Sequence, residues 1–502
     1  MRVKNIIVGA GPAGIQMADL LGDEDYIILE KANVPCSFFN YFPRHRKFIS
    51  INKGRNLRYD WNSFLGGHLS FREYSEEMYP HVDDYLRYVN DFIKLRDIKI
   101  QYNCEVKSIE KKEDLFYING DEYIAERVFF GIGLVHKEPD IDNIHPSIKV
   151  FTYANMPLDK DVYRDKDIII WGTGNAAFET CKWLEPFTNK IKIIGTEKKA
   201  WQTHYPGHLR SVNFTSIDSY YLKAQLEIGW RPIAECGFFV DRLRRGEFRS
   251  FKPEIMIFCH GFKFKSDVVK DLVDVDKFPI LTPHFESTKC KNLFFIGCNS
   301  QQHDYKKGTS AFIHGFRYNC QYLARHLKNE LKFKTIKSRD SLVHNILYDL
   351  NTSSALFHRF DYFCILVGFT GTTYEYISEI PISAAQSYVN PEWKEVITIK
   401  LGYGTVSLKP TFRQFVSTYP IDGPINVFIH PIIQNSKGEI MHIPEQQFNE
   451  FIYDIAHVKT LNLFLDYVEG LKTYEMIEEK MKSVEDIGQP KTKFLEPPPI
   501  EP

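Results

Sequence analysis

One local pattern occurs twice in this chain and constrains it more than any other feature. An apolar strand stops at glycine and restarts as a helix. The first copy is KNIIVGAGPAGIQMADLL, residues 4–21, and the second is DIIIWGTGNAAFETCKWL, residues 167–184. Strands this apolar read as members of a parallel sheet covered on both faces. In the first loop, Gly9 permits the tight turn, Gly11 lets the backbone approach a pyrophosphate, and Gly14 lets helix and strand pack closely. The helix N-terminus, beginning near Ala13, then faces the anion. YIILE, residues 26–30, follows as a second strand. It ends in Glu30, and an acid about 20 residues past the first glycine is placed to bind ribose hydroxyls.

The second loop repeats the grammar with Gly172, Gly174 and Asn175, and Ala177 stands in the third glycine place, a replacement the fingerprint tolerates. Its next strand, KIKIIG at 190–195, ends in Thr196-Glu197-Lys198-Lys199. An acid there favours NADH, and basic residues favour the 2′-phosphate of NADPH. Lys198 and Lys199 point to NADPH, and Glu197 leaves NADH open. Two loops on two sheets imply two dinucleotides, one kept and one delivering hydride, which is chemistry no side chain supplies.

The first loop, with its GxGPAG and terminal Glu30, resembles the FAD version of this fold in the glutathione-reductase-like flavoproteins. Chains of that type return to the flavin late. YIAERVFFGIGLVHKEPDI (123–141) resembles the strand and glycine crossing that ends the first FAD segment, at Gly131. KNLFFIGCNSQQ (291–302) is another buried strand, opening at Gly297. The resemblance implies an aspartate after that glycine, holding the ribityl chain; here the residue is Cys298. Val106 is counted with the FAD contacts. EIMIFCHGF (254–262) closes the inserted domain. The expected fold is α/β, with two Rossmann-like domains, the NAD(P)H domain inserted in the FAD domain, and an α+β C-terminal region. The boundaries are 1–148 for the first FAD segment, 149–284 for the NAD(P)H domain, 285–330 for the second FAD segment and 331–502 for the tail.

Composition narrows the partners. The formal net charge of the 502 residues is −1, so no global field favours nucleic acid or an anionic membrane. Aromatic content is 15%, which suits pockets for flat ligands. The 9 cysteines include no CxxC and no pair at zinc-ligand spacing, so free thiols in a reducing compartment and no metal are expected. The basic start and apolar run of MRVKNIIVGAGPAG imitate a signal peptide, but cleavage there would destroy the first loop. No run of about 18 apolar residues appears, so no membrane span is expected. The C-terminus carries no KDEL-type address, and a cytoplasmic location is expected.

PRHRKFISINK (43–53), NLRYDWNSFLG (56–66), YSEEMYPHVDDYLRYVNDF (74–92), AWQTHYPGHLRSVN (200–213) and HDYKKGTSAFIHGFRYN (303–319) resemble one family closely. It is the family of the endoplasmic-reticulum flavoprotein associated with degradation, FAD-dependent oxidoreductases related to the flavin-containing monooxygenases. The likeness is clear over about residues 1–330, and NVFIHPIIQN (426–435) continues it faintly. The FxGxxxHxxx(Y/F) signature of N-hydroxylating monooxygenases is absent, its place being taken by VFTYANMPLDK (150–160). The resemblance implies an asparagine beside the isoalloxazine, which falls on Asn52 first and Asn62 second. Either residue alone is as well explained by an Asx turn.

Other candidates are positional. Arg44, His45 and Arg46 lie between Glu30 and Asn52, where FAD passes, and Arg46 is chosen for cofactor contact. THYPGHLR supplies His204 as acid or base and Tyr205 and Arg210 for substrate. Pro206-Gly207 breaks the helical spacing that His204 and His208 would need to share zinc. Gly308, Thr309 and Ser310 are expected to open a helix toward the flavin pyrimidine, with Tyr305 and Lys306 lining the site. In the tail, SLVHNILYDL and QFNEFIYDIAHVKTLNLFLDYVEGLKTYEMIEEKMKS read as helical, and EVITIKLGYGTVSL and INVFIHPIIQN as strands. The tail suits a lid, an oligomer contact such as a homodimer, or a partner module. The combined expectation is an FAD- and NADPH-dependent monooxygenase hydroxylating N, S or C of a small molecule with O2, through a flavin peroxide. Its rivals are a reductase serving a quinone, thiol or protein, and an FAD-holding client-binding protein.

Overall fold

Side-chain alternation fixes the two faces of the sheet that carries the second loop. In the strand Asp167–Trp171, Ile168 and Ile170 enter one core while Ile169 and Trp171 enter another, because residues two apart share a face. Both faces are covered, which is why the strand is apolar throughout. The structure, a computed structural model, describes residues 1–48, 52, 60–139, 144–195, 226–230, 245, 251–264, 267–305, 308–402, 429–442, 455–473, 476–477 and 480. This sheet runs Leu226–Trp230, Lys190–Gly195, Asp167–Trp171, Ile255–Phe258, Lys149–Thr152, and every pairing is parallel.

The sheet carrying the first loop is built differently. Ile100–Gln101, Tyr26–Leu29, Arg2–Val8 and Tyr123–Phe130 pair in parallel in that order. Beyond them, the start of Tyr123–Phe130 pairs antiparallel with Leu115–Ile118, which pairs with Ile109–Lys112. The end of Tyr123–Phe130 takes Leu293–Phe295 in parallel. The second sheet therefore lies in sequence between two neighbouring strands of the first. A short antiparallel pair, Val135–His136 with Phe262–Lys263, joins the outgoing and returning chain.

The tail forms a six-stranded antiparallel sheet ordered Lys334–Ile336, Tyr374–Pro381, Phe363–Phe369, Glu395–Gly402, His430–Asn435, Ile440–His442. Four of these strands, Lys334–Ile336, Phe363–Phe369, Tyr374–Pro381 and Ile440–His442, had no assignment from the sequence. Every residue of Phe363–Phe369 is buried, so it shows no alternation to read. Leu342, Ile346 and Ile365 of the tail share one core with Ile7, Met17, Phe129 and Leu323. The helix Ile313–Leu327 lies inside that shared core, and Phe316, Tyr318, Cys320, Tyr322 and Leu323 are buried along it. Each such side chain contributes about 1.5–3 kcal/mol by leaving water, so the tail and the first sheet stabilise each other. Among the described residues, no helix is long and apolar enough to cross a membrane.

Candidate functional site

Four strand ends of the first sheet open on one cavity of about 720 Å³. Its walls include Gly9, Gly11 and Ala13 after Arg2–Val8, Glu30 after Tyr26–Leu29, Gly131 and Gly133 after Tyr123–Phe130, and Gly297 and Cys298 after Leu293–Phe295. Ligands of open parallel sheets sit at these carboxyl ends, and the volume lies in the usual range for a cofactor cleft.

The glycine loop meets its steric demands by position. Gly9 has φ of +102°, and a Cβ there would stand 2.8 Å from the Gly131 carbonyl oxygen. A Cβ on Gly14 would stand 2.1 Å from the Gly9 carbonyl oxygen, so helix and turn touch there. A Cβ on Gly11 would meet nothing within 4 Å, because Gly11 faces the cavity. The helix Pro12–Leu21 has no side-chain cap, and proline at its first turn removes one of its orphan donors. Its remaining first-turn N–H groups supply the positive end that an anion needs.

Glu30 is 6% exposed. Its carboxylate accepts from the Ala10 N–H at 2.7 Å and the Ala32 N–H at 2.9 Å, with Ser37 Oγ at 3.5 Å. It is thus held at the cavity wall by backbone on both sides. Val106 is part of the same wall. At the other end, Ala311, Phe312 and Ile313 line the cavity, and Phe312 begins the helix Ile313–Leu327 without a side-chain cap.

The second loop has matching geometry. Gly172 has φ of +136°, and a Cβ there would stand 2.3 Å from the Cys259 carbonyl oxygen. Gly174 faces open space, Asn175 begins the helix Asn175–Leu184, and Ala177 is fully buried at the helix–strand contact. Lys198, Lys199, His204, Tyr205, Arg210 and Lys306 lie outside the described residues.

Several expected contacts go elsewhere. Arg46 does not line the cavity: its guanidinium donates to the Phe39 carbonyl and pairs with Asp83, tying down the helix Val82–Leu95. Arg44 donates to the Met156 carbonyl at 2.7 Å, and its backbone N–H to Tyr153 Oη at 3.1 Å. His45 Nε2 meets Thr180 Oγ1 at 3.1 Å, and its ring stacks on Trp183 with centroids 5.1 Å apart. Arg44 and His45 therefore clamp onto the second sheet's domain, while Arg46 holds the helix Val82–Leu95. Burial, with Arg44 adding to it, pushes His45 down to about 4, so the ring is neutral near pH 7.

Asn52 donates from Nδ2 to the Ser75 carbonyl at 2.7 Å, away from the cavity wall. Asn62 is 1% exposed, and its backbone N–H reaches Asp60 Oδ1 at 2.9 Å. It too lies outside the wall. Tyr305 Oη accepts from Lys277 Nζ at 2.6 Å, and its ring packs on Phe278, again outside the wall. The Ser310 hydroxyl accepts from Arg359 at 2.7 Å and from Asn319 at 2.8 Å, so the cavity contact passes to Ala311–Ile313.

Sequence reasoning missed the aromatic wall. Phe38, Phe39, Phe48 and Phe262 line the cavity, as do Cys36 and Cys104. The run CSFFNYF (36–42), shortly after Glu30, was the available signal for Phe38 and Phe39. Burial, with the Glu30 charge added, pushes the Cys36 thiol up, and burial pushes Cys298 up to about 11. Both are protonated near neutral pH and poor nucleophiles. Among the described residues, no group of three or more His, Cys, Asp or Glu could hold a metal.

A family model described as pyridine nucleotide-disulphide oxidoreductase matches residues 6–297. The chain is 26% identical to the FAD-dependent oxidoreductase domain-containing protein 2 of Mus musculus, over 89% of this chain and 77% of that protein. It is 28% identical to the protein of the same name from Danio rerio, over 75% and 67%. Among solved structures, a bacillithiol disulfide reductase from Staphylococcus aureus is 19% identical, covering 66% of this chain and 99% of its own, at a TM-score of 0.48.

Proposed function

We propose that this chain, which belongs to the pyridine nucleotide-disulphide oxidoreductase family, is a flavin monooxygenase acting on nitrogen, sulfur or carbon of a small molecule. The observation that carries the reading is the cavity itself. One cleft of about 720 Å³ is walled both by the Gly9–Ala13 loop and by Phe38, Phe39, Ile132, Phe312 and Ile313. The aromatic and aliphatic part of this wall suits oxygen chemistry, which needs water kept from the flavin.

The residues fit FAD. Backbone around Gly11 and the uncapped helix Pro12–Leu21 would hold the pyrophosphate. Glu30 would hold the adenosine ribose. The N-terminus at Ile313 would face the pyrimidine edge, where a helix dipole favours negative charge. FAD, when bound, supplies hydride acceptance and electron transfer to oxygen. The protein's own part is to orient the ring, keep the site dry and leave the Cys36 and Cys298 thiols protonated. The domain after the second loop takes NAD(P)H, with NADPH preferred on the strength of Lys198 and Lys199.

A second reading, a reductase passing electrons to a quinone, thiol or protein, is favoured by the disulphide chemistry in the family's description. One experiment separates the two. The purified chain with FAD is mixed anaerobically with NADPH or NADH, and the flavin band is followed. Labelled O2 is then readmitted with amine and sulfide probes. Bleaching followed by labelled product supports the monooxygenase. Bleaching without product, at NAD(P)H turnover sustained by a quinone or disulfide, supports the reductase. Absence of bleaching with either nicotinamide overturns both.

A further inference from the structure

The tail reaches the segment next to the cavity wall through two consecutive residues, His358 and Arg359. The helix Ser354–His358 ends with His358, and Arg359 follows as its cap. Arg359 is fully buried. One arm of its guanidinium donates to Asp304 Oδ2 at 3.1 Å and Thr309 Oγ1 at 2.8 Å, and the other to Ser310 Oγ at 2.7 Å. Thr309 Oγ1 in turn donates to the His358 carbonyl at 2.5 Å. Asp304 Oδ2 also accepts from the Ser310 N–H at 3.0 Å. The guanidinium carbon stands 4.6 Å from the Tyr362 ring centre, which fixes its plane.

Two of the three residues gripped by this fork, Thr309 and Ser310, come immediately before Ala311, Phe312 and Ile313, which line the cavity. Their placement is tight. A Cβ on Gly308 would stand 2.3 Å from Asp304 Oδ2, and one on Gly315 would stand 2.0 Å from the Thr309 carbonyl oxygen. Gly308 thus packs closely on Asp304, and Gly315 on the Thr309 carbonyl.

We infer that Arg359, supplied by the C-terminal region, is a positioning residue of the flavin cavity: its planar fork on Asp304, Thr309 and Ser310 sets the wall 311–313 and the helix N-terminus behind it. The tail is then part of the cofactor site. The inference rests on the flavin reading given above. Lysine keeps the charge but cannot reproduce two diverging arms, so Arg359→Lys tests the fork itself.

The test uses the full chain. FAD is titrated into apo wild type, Arg359→Lys and Arg339→Lys. Arg339 pairs with Asp466 and Glu469 within the tail, so it is the control for lost stability alone. Arg359→Lys is expected to raise the FAD dissociation constant at least tenfold, and Arg339→Lys less than twofold. The midpoint potential is expected to fall in Arg359→Lys and to hold in the control. A tenfold greater loss of reduced than of oxidised flavin is about 30 mV for a two-electron couple. Amide exchange over 308–313 is expected to rise at least tenfold in Arg359→Lys without FAD. If Arg359→Lys does not fold, the double variant Arg359→Met, Asp304→Asn removes both buried charges and must still weaken FAD tenfold. FAD affinity and potential within twofold and 10 mV (about a twofold ratio) of wild type, or equal losses in the control, overturn the inference. A wild-type chain that binds no FAD overturns the flavin reading instead, and the exchange measurement still judges the fork.

Discussion

Gly11 adopts φ of −72° and ψ of 174°, a conformation open to any residue, and a Cβ built on it meets no atom within 4 Å. Alanine there therefore strains nothing in the folded chain. Two small effects oppose each other. Alanine lowers unfolded-state entropy, stabilising by about 0.4–1 kcal/mol. It is also a poorer N-cap than glycine, a cost of about 0.5–1 kcal/mol. Apo stability is expected to stay within about 0.5 kcal/mol of wild type. FAD affinity should not. The new methyl stands in the cavity where the pyrophosphate would approach backbone, and loss of two charge-assisted hydrogen bonds costs about 3–6 kcal/mol. That is about 10²- to 10⁴-fold in dissociation constant. Thermal melts with and without FAD read both quantities. At FAD a hundredfold above its wild-type dissociation constant, wild type gains about 2.7 kcal/mol and Gly11→Ala almost nothing. If apo Gly11→Ala melts far below wild type, Gly11 serves the fold. If FAD stabilises both equally, the anion is not bound at this turn.

Glu30→Gln leaves one of the Ala10 and Ala32 N–H groups facing an amide NH2. Urea unfolding should register a loss of about 1–3 kcal/mol, and an unchanged midpoint would mean the carboxylate is not what holds the turn. His45, and His284 with His326 stacked on it at 4.0 Å, are both pushed down to about 4 by burial. Their folded pKa lies below the unfolded value, so the stability of the neutral rings is full above about 6.5 and is lost as pH falls through about 4. Urea midpoints between these limits should fall in wild type and flatten in the double variant His45→Gln, His284→Gln; a wild-type midpoint that does not fall would refute the assignment. Cys36→Ser and Cys298→Ser should keep NAD(P)H-driven bleaching and turnover, since both thiols are held protonated; abolished turnover in either would point to a thiol relay.

What could be read from the sequence was local. The turn at Gly9, the contact at Gly14 and the acid at Glu30 lie within one contiguous stretch, so spacing alone places Gly9 and Glu30 on one wall with the cavity-facing Gly11. The same is true of Gly172 and Ala177. Gly131 and Gly297 were legible because each ends an apolar strand, and apolar strands of a parallel sheet end at the same edge. Arg46, Asn52 and Ser310 were misread because their partners, Asp83, Ser75 and Arg359, lie in other segments. A polar side chain in a loop has several acceptors within reach, and sequence position does not rank them.

The sequence by itself determined that there would be two dinucleotide loops, because strand, turn and helix sterics act over a dozen residues. Only the tertiary structure decided what joins them. It set His45 against Thr180 and Trp183, and Arg359 against Asp304 and Ser310. It also merged the tail's core with that of the first sheet. Those pairings join segments far apart in the chain. Burial selected them, since a buried guanidinium or imidazole must find its partners wherever the packed fold presents them.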